Sequence, residues 1–302
     1  MSYSPSAQIR HKVYLDRHTV HPSCQMILIG GEIKMGIVKG THLIYSVSPG
    51  DTLYSIASRF GSSVDLITQS NALYPPITDP GFIYPSQKLV MPTSFVDHHQ
   101  VFHIVQPGDS LFFIAERYSS YPDLLAGLNP EIQNPNVIFP EQQIRIPAFI
   151  YEVESGDTLR NISSRLGISL AAILKANQER PGFSADLIYP GFRLIVPLPT
   201  SANIAVIKPF PGESIEDGER IAGFARVFEA TVLHQVRDQN DVIVSNERFA
   251  QANIGAPAYG YFESSLTFDR HPTASEGELW VYTRSAKDGS IQDLVQLNIY
   301  FE

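Results

Sequence analysis

The sequence predicts a multidomain chain, α+β in its earlier part and all-β at its end: three small βααβ units followed by one β-sandwich. Two observations carry that prediction. A set of anchor residues returns three times in fixed register. After Pro197-Leu198-Pro199 the period disappears, and short β runs separated by turn clusters take over. Fixed-period self-similarity marks a chain built from repeated supersecondary units.

The first anchor is Val47-Ser48-Pro49-Gly50-Asp51-Thr52-Leu53, which returns as Val105-Gln106-Pro107-Gly108-Asp109-Ser110-Leu111 and as Val153-Glu154-Ser155-Gly156-Asp157-Thr158-Leu159. Each glycine is followed 21 positions later by an asparagine: Asn71, Asn129 and Asn177. Each unit then closes on Ile-aromatic-Pro, at Ile83-Tyr84-Pro85, Ile138-Phe139-Pro140 and Ile188-Tyr189-Pro190, with Pro92, Pro147 and Pro197 beyond.

Within each unit a β run (Ile44 to Val47, Phe102 to Val105, Ile150 to Val153) leads into the Gly-Asp turn. Asp51, Asp109 and Asp157 stand where an N-cap is expected, their carboxylates able to accept first-turn amides. Leu53, Ile56, Ala57 and Phe60 then fall at i, i+3, i+4 and i+7, one face of a helix, as do Leu111, Ile114, Ala115 and Tyr118. The third copy reads Leu159, Ile162, Ser163, Leu166. Gly61 and Gly167 are placed to cap the helix end in left-handed geometry, where the second copy has Ser119. A second helix carries Leu66-Ile67, Leu124-Leu125 or Ile173-Leu174. A last strand through Leu89 to Met91, Ile144 to Ile146 or Leu194 to Val196 pairs antiparallel with the first. Units this small bury modest cores and are expected to be modestly stable alone.

Composition narrows the partners. The 302 residues carry a formal net charge of −9. That balance argues against nucleic acid, whose phosphates demand a basic patch, and against adhesion to anionic surfaces by bulk charge. A neutral or mixed-charge ligand fits better. The single cysteine, Cys24, excludes an intramolecular disulfide and a thiolate metal cage. No apolar run approaches a membrane span, so no membrane insertion is expected.

The repeated residues resemble the LysM family, a small βααβ carbohydrate-binding module. Val-x-x-Gly-Asp-Thr/Ser-Leu, the asparagine and Ile-aromatic-Pro are the signature, and the resemblance covers about half the chain. It implies binding of N-acetylglucosamine polymers, peptidoglycan or chitin, in a shallow groove between two loops. The first loop is Gly50, Asp51, Thr52, Leu53 and its counterparts Gly108, Asp109, Ser110, Leu111 and Gly156, Asp157, Thr158, Leu159. The second runs from Asn71 to Ile83, Asn129 to Ile138, or Asn177 to Ile188. The chemistry stands without the family: helix-start amides can donate to an N-acetyl carbonyl and an apolar side chain can receive its methyl. The bland alternatives stay open, with the aspartates as caps, the asparagines as left-handed turn formers and the isoleucines as core. Gly191 follows Pro190 as the family pattern has it, whereas Ser86 and Glu141 depart from it, so the third copy is the most typical. Three sites of about millimolar strength, each near −4 kcal/mol, gain roughly 10²- to 10⁴-fold when joined on one polymer. Residues Thr93 to Gln100 leave slack between the first two units, and Ala148 to Ile150 almost none between the last two.

The unit boundaries read 43–92, 101–147 and 149–197, with the sandwich at 202–302. Strands are expected at Ile204 to Ile207, Ile221 to Phe224, Glu229 to Val236, Val242 to Val244, Tyr261 to Phe268, Glu278 to Thr283 and Leu294 to Tyr300. That number of strands in about 100 residues points to a sandwich of immunoglobulin type. Phe228 and Trp280 are expected in its core. Gly223-Phe224-Ala225-Arg226-Val227-Phe228-Glu229-Ala230-Thr231-Val232, with Leu279-Trp280-Val281, resembles the immunoglobulin-like domain of bacterial sporulation and germination proteins, the Gmad family. The resemblance supplies no ligand for it; a protein partner is the expectation.

Residues 1–42 form an unassigned segment, with β runs at Val13 to Leu15, Met26 to Ile29 and Ile33 to Val38 that would pack on the first repeat or a partner. His11, His18, His21 and His42 gather there, but His18-x-x-His21 with Cys24 lacks a matched second ligand pair, and His98-His99 with His103 is no better. No metal, cofactor or catalytic residue is assigned. Nothing supplies a nucleophile with its base or paired carboxylates on a larger fold, so no enzyme is expected. With no secretory h-region at the start, the reading is a wall anchor or adaptor made in the cytoplasm of a spore-forming Gram-positive bacterium and placed on the spore cortex, coat or cell wall. Two alternatives remain: a coat assembly protein whose repeats make protein contacts, and a targeting subunit for a separate wall hydrolase.

Overall fold

The computed structural model describes residues 36–79, 81–93 and 99–302. Most of the N-terminal segment, including His18, His21 and Cys24, lies outside them. The chain forms β1 (Ile37–Val38), β2 (Thr41–Ser46), α1 (Leu53–Phe60), α2 (Val64–Ser70) and β3 (Lys88–Pro92), then β4 (Gln100–Ile104), α3 (Leu111–Arg117), α4 (Pro122–Leu128) and β5 (Gln143–Ile146). The third unit is β6 (Ala148–Glu152), α5 (Leu159–Leu166), α6 (Leu170–Ala176) and β7 (Arg193–Pro197). The two strands of each unit pair antiparallel, giving three βααβ modules as expected.

The predicted helix stripes are the buried ones: Leu53, Ile56 and Ala57 in α1, Leu111, Ile114 and Ala115 in α3, Leu159, Ile162 and Leu166 in α5. Gly61 and Gly167 close α1 and α5 at φ +63° and +66°. Ser119 takes the same left-handed region at φ +52°, a conformation that disfavours a side chain.

The modules are not independent beads. β2 pairs in parallel with β4, so the first two repeats share one sheet of order β3-β2-β4-β5. Both faces of that sheet are covered. Leu43, Tyr45 and Val47 pack with Phe102 and Ile104 beneath α1 and α2. Ile44 and Val90, on the other face, join the core of the second repeat, along with Ile150, Ala176 and Ile195 of the third. The slack expected between the first two units is therefore absent, because their first strands are hydrogen-bonded to one another. β6 and β7 form a separate sheet with β1. Ile37 and Val38 lie opposite Tyr151 and Ile150, so this end of the N-terminal segment adds a strand to the third repeat.

A buried arginine stitches the junction. Arg180 is 4% exposed and donates to Ser70 O (3.2 Å) and Asn71 Oδ1 (3.0 Å) of the first repeat, and to Asn177 Oδ1 and Arg193 O of its own. It lies over the Phe192 ring at 4.6 Å. Burial lowers its pKa to about 9, still high enough to keep the guanidinium charged at neutral pH.

The rest of the chain is all β: β8 (Ile204–Lys208), β9 (Ser214–Ile215), β10 (Arg220–Ala225), β11 (Thr231–Asp238), β12 (Ile243–Gln251), β13 (Gly260–Ser265), β14 (Glu276–Arg284) and β15 (Ile291–Phe301). Two sheets, β13-β10-β8 and β12-β11-β14-β15-β9, close on a core of Val206, Ile221, Val232, Phe262, Leu279 and Leu297 among others. This is the expected immunoglobulin-like sandwich. Two aromatic expectations fail. Phe228 is 80% exposed, because Phe228–Ala230 is a 3₁₀ turn ahead of the strand and not part of it. Trp280 is half-buried on the outer face, under the Arg237 guanidinium at 4.5 Å. Strand alternation explains this, since its neighbours Leu279 and Val281 already point inward.

The sandwich docks on the repeats. Leu124 and Leu128 of α4 share a small core with Ala205, flanked by Phe224 and Tyr259. A side chain at Gly127 would meet the Tyr259 ring at 2.0 Å, so glycine is required there for close approach. Asn298 of β15 donates to the Ser164 and Arg165 carbonyls at the end of α5.

Candidate functional site

Each repeat presents two turns side by side at one end of its sheet. The first follows the opening strand. Asp51 N donates to Ser48 O (3.1 Å) across Pro49-Gly50, with Gly50 at φ +89°, as Gly108 is at +94° and Gly156 at +88°. Positive φ at the third turn position is the type II signature and calls for glycine. The second turn precedes the closing strand. Gln87 N donates to Tyr84 O (3.1 Å), and the third position is Ser86 at φ +73°, Glu141 at +74° or Gly191 at +84°. Only the third repeat supplies the residue that position favours. The turns are tied together by Val47 N to Gln87 O (2.8 Å) and Ser86 N to Val47 O (2.8 Å), a pair repeated at Val105 and Val153.

The aspartates do not cap the helices. Asp51 Oδ2 accepts from Ser48 N (2.7 Å) and from the Tyr45 hydroxyl (2.7 Å). Asp157 does the same with Glu154 N (3.0 Å) and Tyr151 (2.7 Å), with Arg165 added at 3.2 Å. The N-caps are the next residues, Thr52, Ser110 and Thr158, whose hydroxyls accept the amide three positions on. A carboxylate facing back across a tight turn meets an amide there first, leaving the helix start to the hydroxyl. Ser55 and Asn161 reciprocate, completing capping boxes in repeats 1 and 3.

The second repeat replaces the tyrosine with His103. Its Nε2 lies 2.9 Å from Asp109 and its Nδ1 3.0 Å from the Tyr118 hydroxyl. Because an ionised carboxylate only accepts, Nε2 carries the proton and Nδ1 accepts from Tyr118. Burial pushes the His103 pKa down, against the pull of Asp109. Burial opposes ionisation of Asp109, but the bonds from His103 and the Gln106 amide outweigh it and hold the carboxyl below its ordinary range.

Six side chains named from sequence are withdrawn as ligand contacts. Asn71, Asn129 and Asn177 are 0–2% exposed and lack left-handed φ. Asn71 Nδ2 donates to Ile67 O (2.8 Å) and Val90 O (2.7 Å) while its Oδ1 accepts from Val90 N (2.7 Å), latching helix end to closing strand. The other two repeat the latch. Leu53, Leu111 and Leu159 point into the cores. Nothing local in the sequence marks Arg180 as a buried residue.

What remains open at the two turns is Gly50, Thr52, Gly108, Ser110, Gly156 and Thr158, the outer edges of Asp51, Asp109 and Asp157, and half-buried Ile83, Ile138 and Ile188. The first-turn amides of Leu53 and Tyr54 have no partner within the helix. Around them stand aromatic side chains that the sequence reading did not assign to the site: Tyr54 (77% exposed), Phe82 and Tyr84 in the first repeat, and Phe112, Phe113 and Phe139 (65%) in the second. The signal was available, because Tyr54, Phe112 and Phe113 fall off the buried helix stripe. The third repeat offers Arg160, Asn161 and Leu187 in the comparable stretches.

A cleft of about 530 Å³ separates α5 from the sandwich, walled by Asn161, Arg165, Arg237, Glu278 and Trp280 among others. Several of its polar walls already have partners, Trp280 Nε1 donating to Glu278 at 2.7 Å and Arg237 Nε to Gln235 at 2.8 Å. Among the described residues no group of three or more His, Cys, Asp or Glu could hold a metal ion, and no helix is long and apolar enough to cross a membrane.

Paired turns on three βααβ modules, fused to an immunoglobulin-like sandwich, define a chain assembled from small repeated modules. Comparison with known families makes that specific. The chain carries three LysM domains, at residues 45–92, 103–147 and 151–197, followed by the immunoglobulin-like domain of bacterial spore germination, Gmad2, at 203–290. Neither is a catalytic domain. A protein named as a sporulation-specific glycosylase, YdhD of Bacillus subtilis (strain 168), is 36% identical over 95 residues, covering 32% of this chain and 21% of that protein. The N-acetylmuramoyl-L-alanine amidase sle1 of Staphylococcus epidermidis is 26% identical over 174 residues, 51% of this chain and 50% of the amidase. The solved spore cortex-lytic enzyme SleL of Bacillus cereus matches at 31% identity and a TM-score of 0.25, over 35% of this chain and 23% of that one. The chain thus spans half or less of the length of these relatives.

Proposed function

We propose that this chain is a non-catalytic binder of N-acetylglucosamine-containing wall glycan, peptidoglycan in first place, and that it anchors or adapts other components to a spore or cell wall. The observation that carries the reading is the recurrence of one two-turn geometry in three LysM domains, with Thr52, Ser110 and Thr158 at the rim of the turns. An acidic chain suits a ligand recognised through neutral N-acetyl groups. The Gmad2 domain and the relative named for sporulation favour the spore over the vegetative wall. In this reading the glycan contacts are Gly50 to Thr52, Gly108 to Ser110 and Gly156 to Thr158, with Ile83, Ile138 and Ile188 receiving the acetyl methyl.

Co-sedimentation with insoluble peptidoglycan, and separately with chitin, tests it. The full chain is expected to pellet. A variant carrying Thr52→Trp, Ser110→Trp and Thr158→Trp, with circular dichroism unchanged, is expected to stay in solution; equal pelleting of both sinks the reading. A second reading has its own support: relatives named as an amidase and an autolysin share only part of their length with this chain. In that reading the repeats deliver a hydrolase to the wall, and co-purification of a lytic enzyme with the chain from sporulating cells would favour it.

A further inference from the structure

The way the first two repeats share a sheet fixes the directions in which their sites read a strand. β2 and β4 run parallel, so the turns that follow them open at the same end of the sheet. Counted from Gly50 and Gly108, the residue equivalent to Tyr45 is His103. In the ladder, however, His103 lies opposite Ile44. A one-residue offset turns every side chain to the other face.

The cores agree with that parity. Tyr45 faces α1 and α2 with Ile104 beside it, whereas Ile44 faces the core beneath α3 and α4. The helices of the two repeats therefore cover opposite faces of one sheet. An approximate two-fold axis along the strands relates the repeats. Such an axis keeps strand direction and reverses any direction lying across the end of the sheet. The shared cores, and the ion pair from Arg59 of the first repeat to Glu141 of the second, leave no hinge to undo the relation.

A glycan strand is polar, with one reducing and one non-reducing end. A groove that accepts it in one direction in repeat 1 accepts it in the reverse direction in repeat 2. One straight strand crossing both sites would meet one of them backwards. We propose that repeats 1 and 2 hold two antiparallel glycan strands side by side, so that the chain bridges neighbouring strands instead of gripping one strand twice. This rests on the glycan-binding reading and replaces the expectation of avidity along a single polymer for this pair of sites.

Calorimetric titration of the full chain with a short N-acetylglucosamine oligomer, and with one long enough to span both sites, tests it. The result expected is more than one equivalent of either oligomer per chain, with per-site affinities that differ little between them. Thr52→Trp or Ser110→Trp then removes one equivalent and leaves the affinity of the rest unchanged. The equivalents that remain report an intact fold, since the cores are shared and an unfolded variant would lose both sites. A long oligomer that binds these two repeats as one equivalent, with an affinity that drops roughly 10²-fold or more when either site is altered, overturns the bridge while leaving glycan binding in place. No binding of either oligomer to the unaltered chain overturns the glycan reading and this inference with it.

Discussion

In the third repeat the turn carboxylate Asp157 is held by Tyr151 and Arg165, whereas in the second Asp109 is held by His103, itself backed by Tyr118. The arginine equivalent to Arg165 is Arg117, and it turns away to pair with Glu179 of the neighbouring repeat at 2.9 Å. The two units share the βααβ fold. The turn needs a donor behind its carboxylate, and either side chain supplies one. The third repeat spends its arginine on its own turn; the second, at the centre of the shared core, spends it on a neighbour and accepts a titratable lock in exchange.

The largest expected effect concerns the latches. Asn177 holds Ile195, Ile173 and Arg180, whereas Asn129 holds only its own helix and strand. Removing a buried hydrogen-bonding group leaves its partners unsatisfied, so Asn177→Ala should cost about 3 kcal/mol and Asn129→Ala about 2 kcal/mol in denaturant unfolding. Equal losses would mean that the bond from Arg180 adds nothing to the Asn177 latch.

Acid is the next lever. An unfolded His103 titrates near 6.5, and burial in the fold holds it lower. Between those two values the unfolded chain binds the extra proton, so stability is full above about pH 6.5 and falls as the pH drops below it. His42, buried beside Arg193, and His234, buried beside Arg248, are both lowered to about 4 and add to the same slope. His103→Gln should make the fall in Tm from pH 6.5 to 5 shallower without abolishing it. An unchanged slope would show that the lock of the second repeat does not titrate.

Smaller effects separate the helix starts and the turns. Thr158→Ala removes half of a capping box and should cost about 1 kcal/mol. Ser110→Ala should cost less, because Phe113 cannot reciprocate. Ser86→Gly relieves a left-handed side chain that Gly191 already avoids, and should raise stability by about 0.5–1 kcal/mol.

Local rules made much of this fold legible. Helix stripes, the glycine caps at Gly61 and Gly167 and the antiparallel closing strands all follow from spacing a few residues long. The failures share one cause, which is that burial of a polar or aromatic group is decided by distant chain. Asn71 reads as a turn former until Val90 supplies its partner. Asp51 reads as a cap until the Ser48 amide, three residues back, claims it. Phe228 reads as core until the 3₁₀ turn turns it outward. The register of β2 on β4 has no local signature either, and it decides that two repeats face opposite ways.

Hydrogen exchange of the full chain, with and without a soluble N-acetylglucosamine oligomer, shows whether the paired turns hold glycan. Protection is expected at residues 50–54, 108–112 and 156–160 and at the paired turns near Tyr84, Phe139 and Tyr189, with the sandwich unchanged. Protection confined to the sandwich, or none at any turn, would contradict glycan binding at the turns.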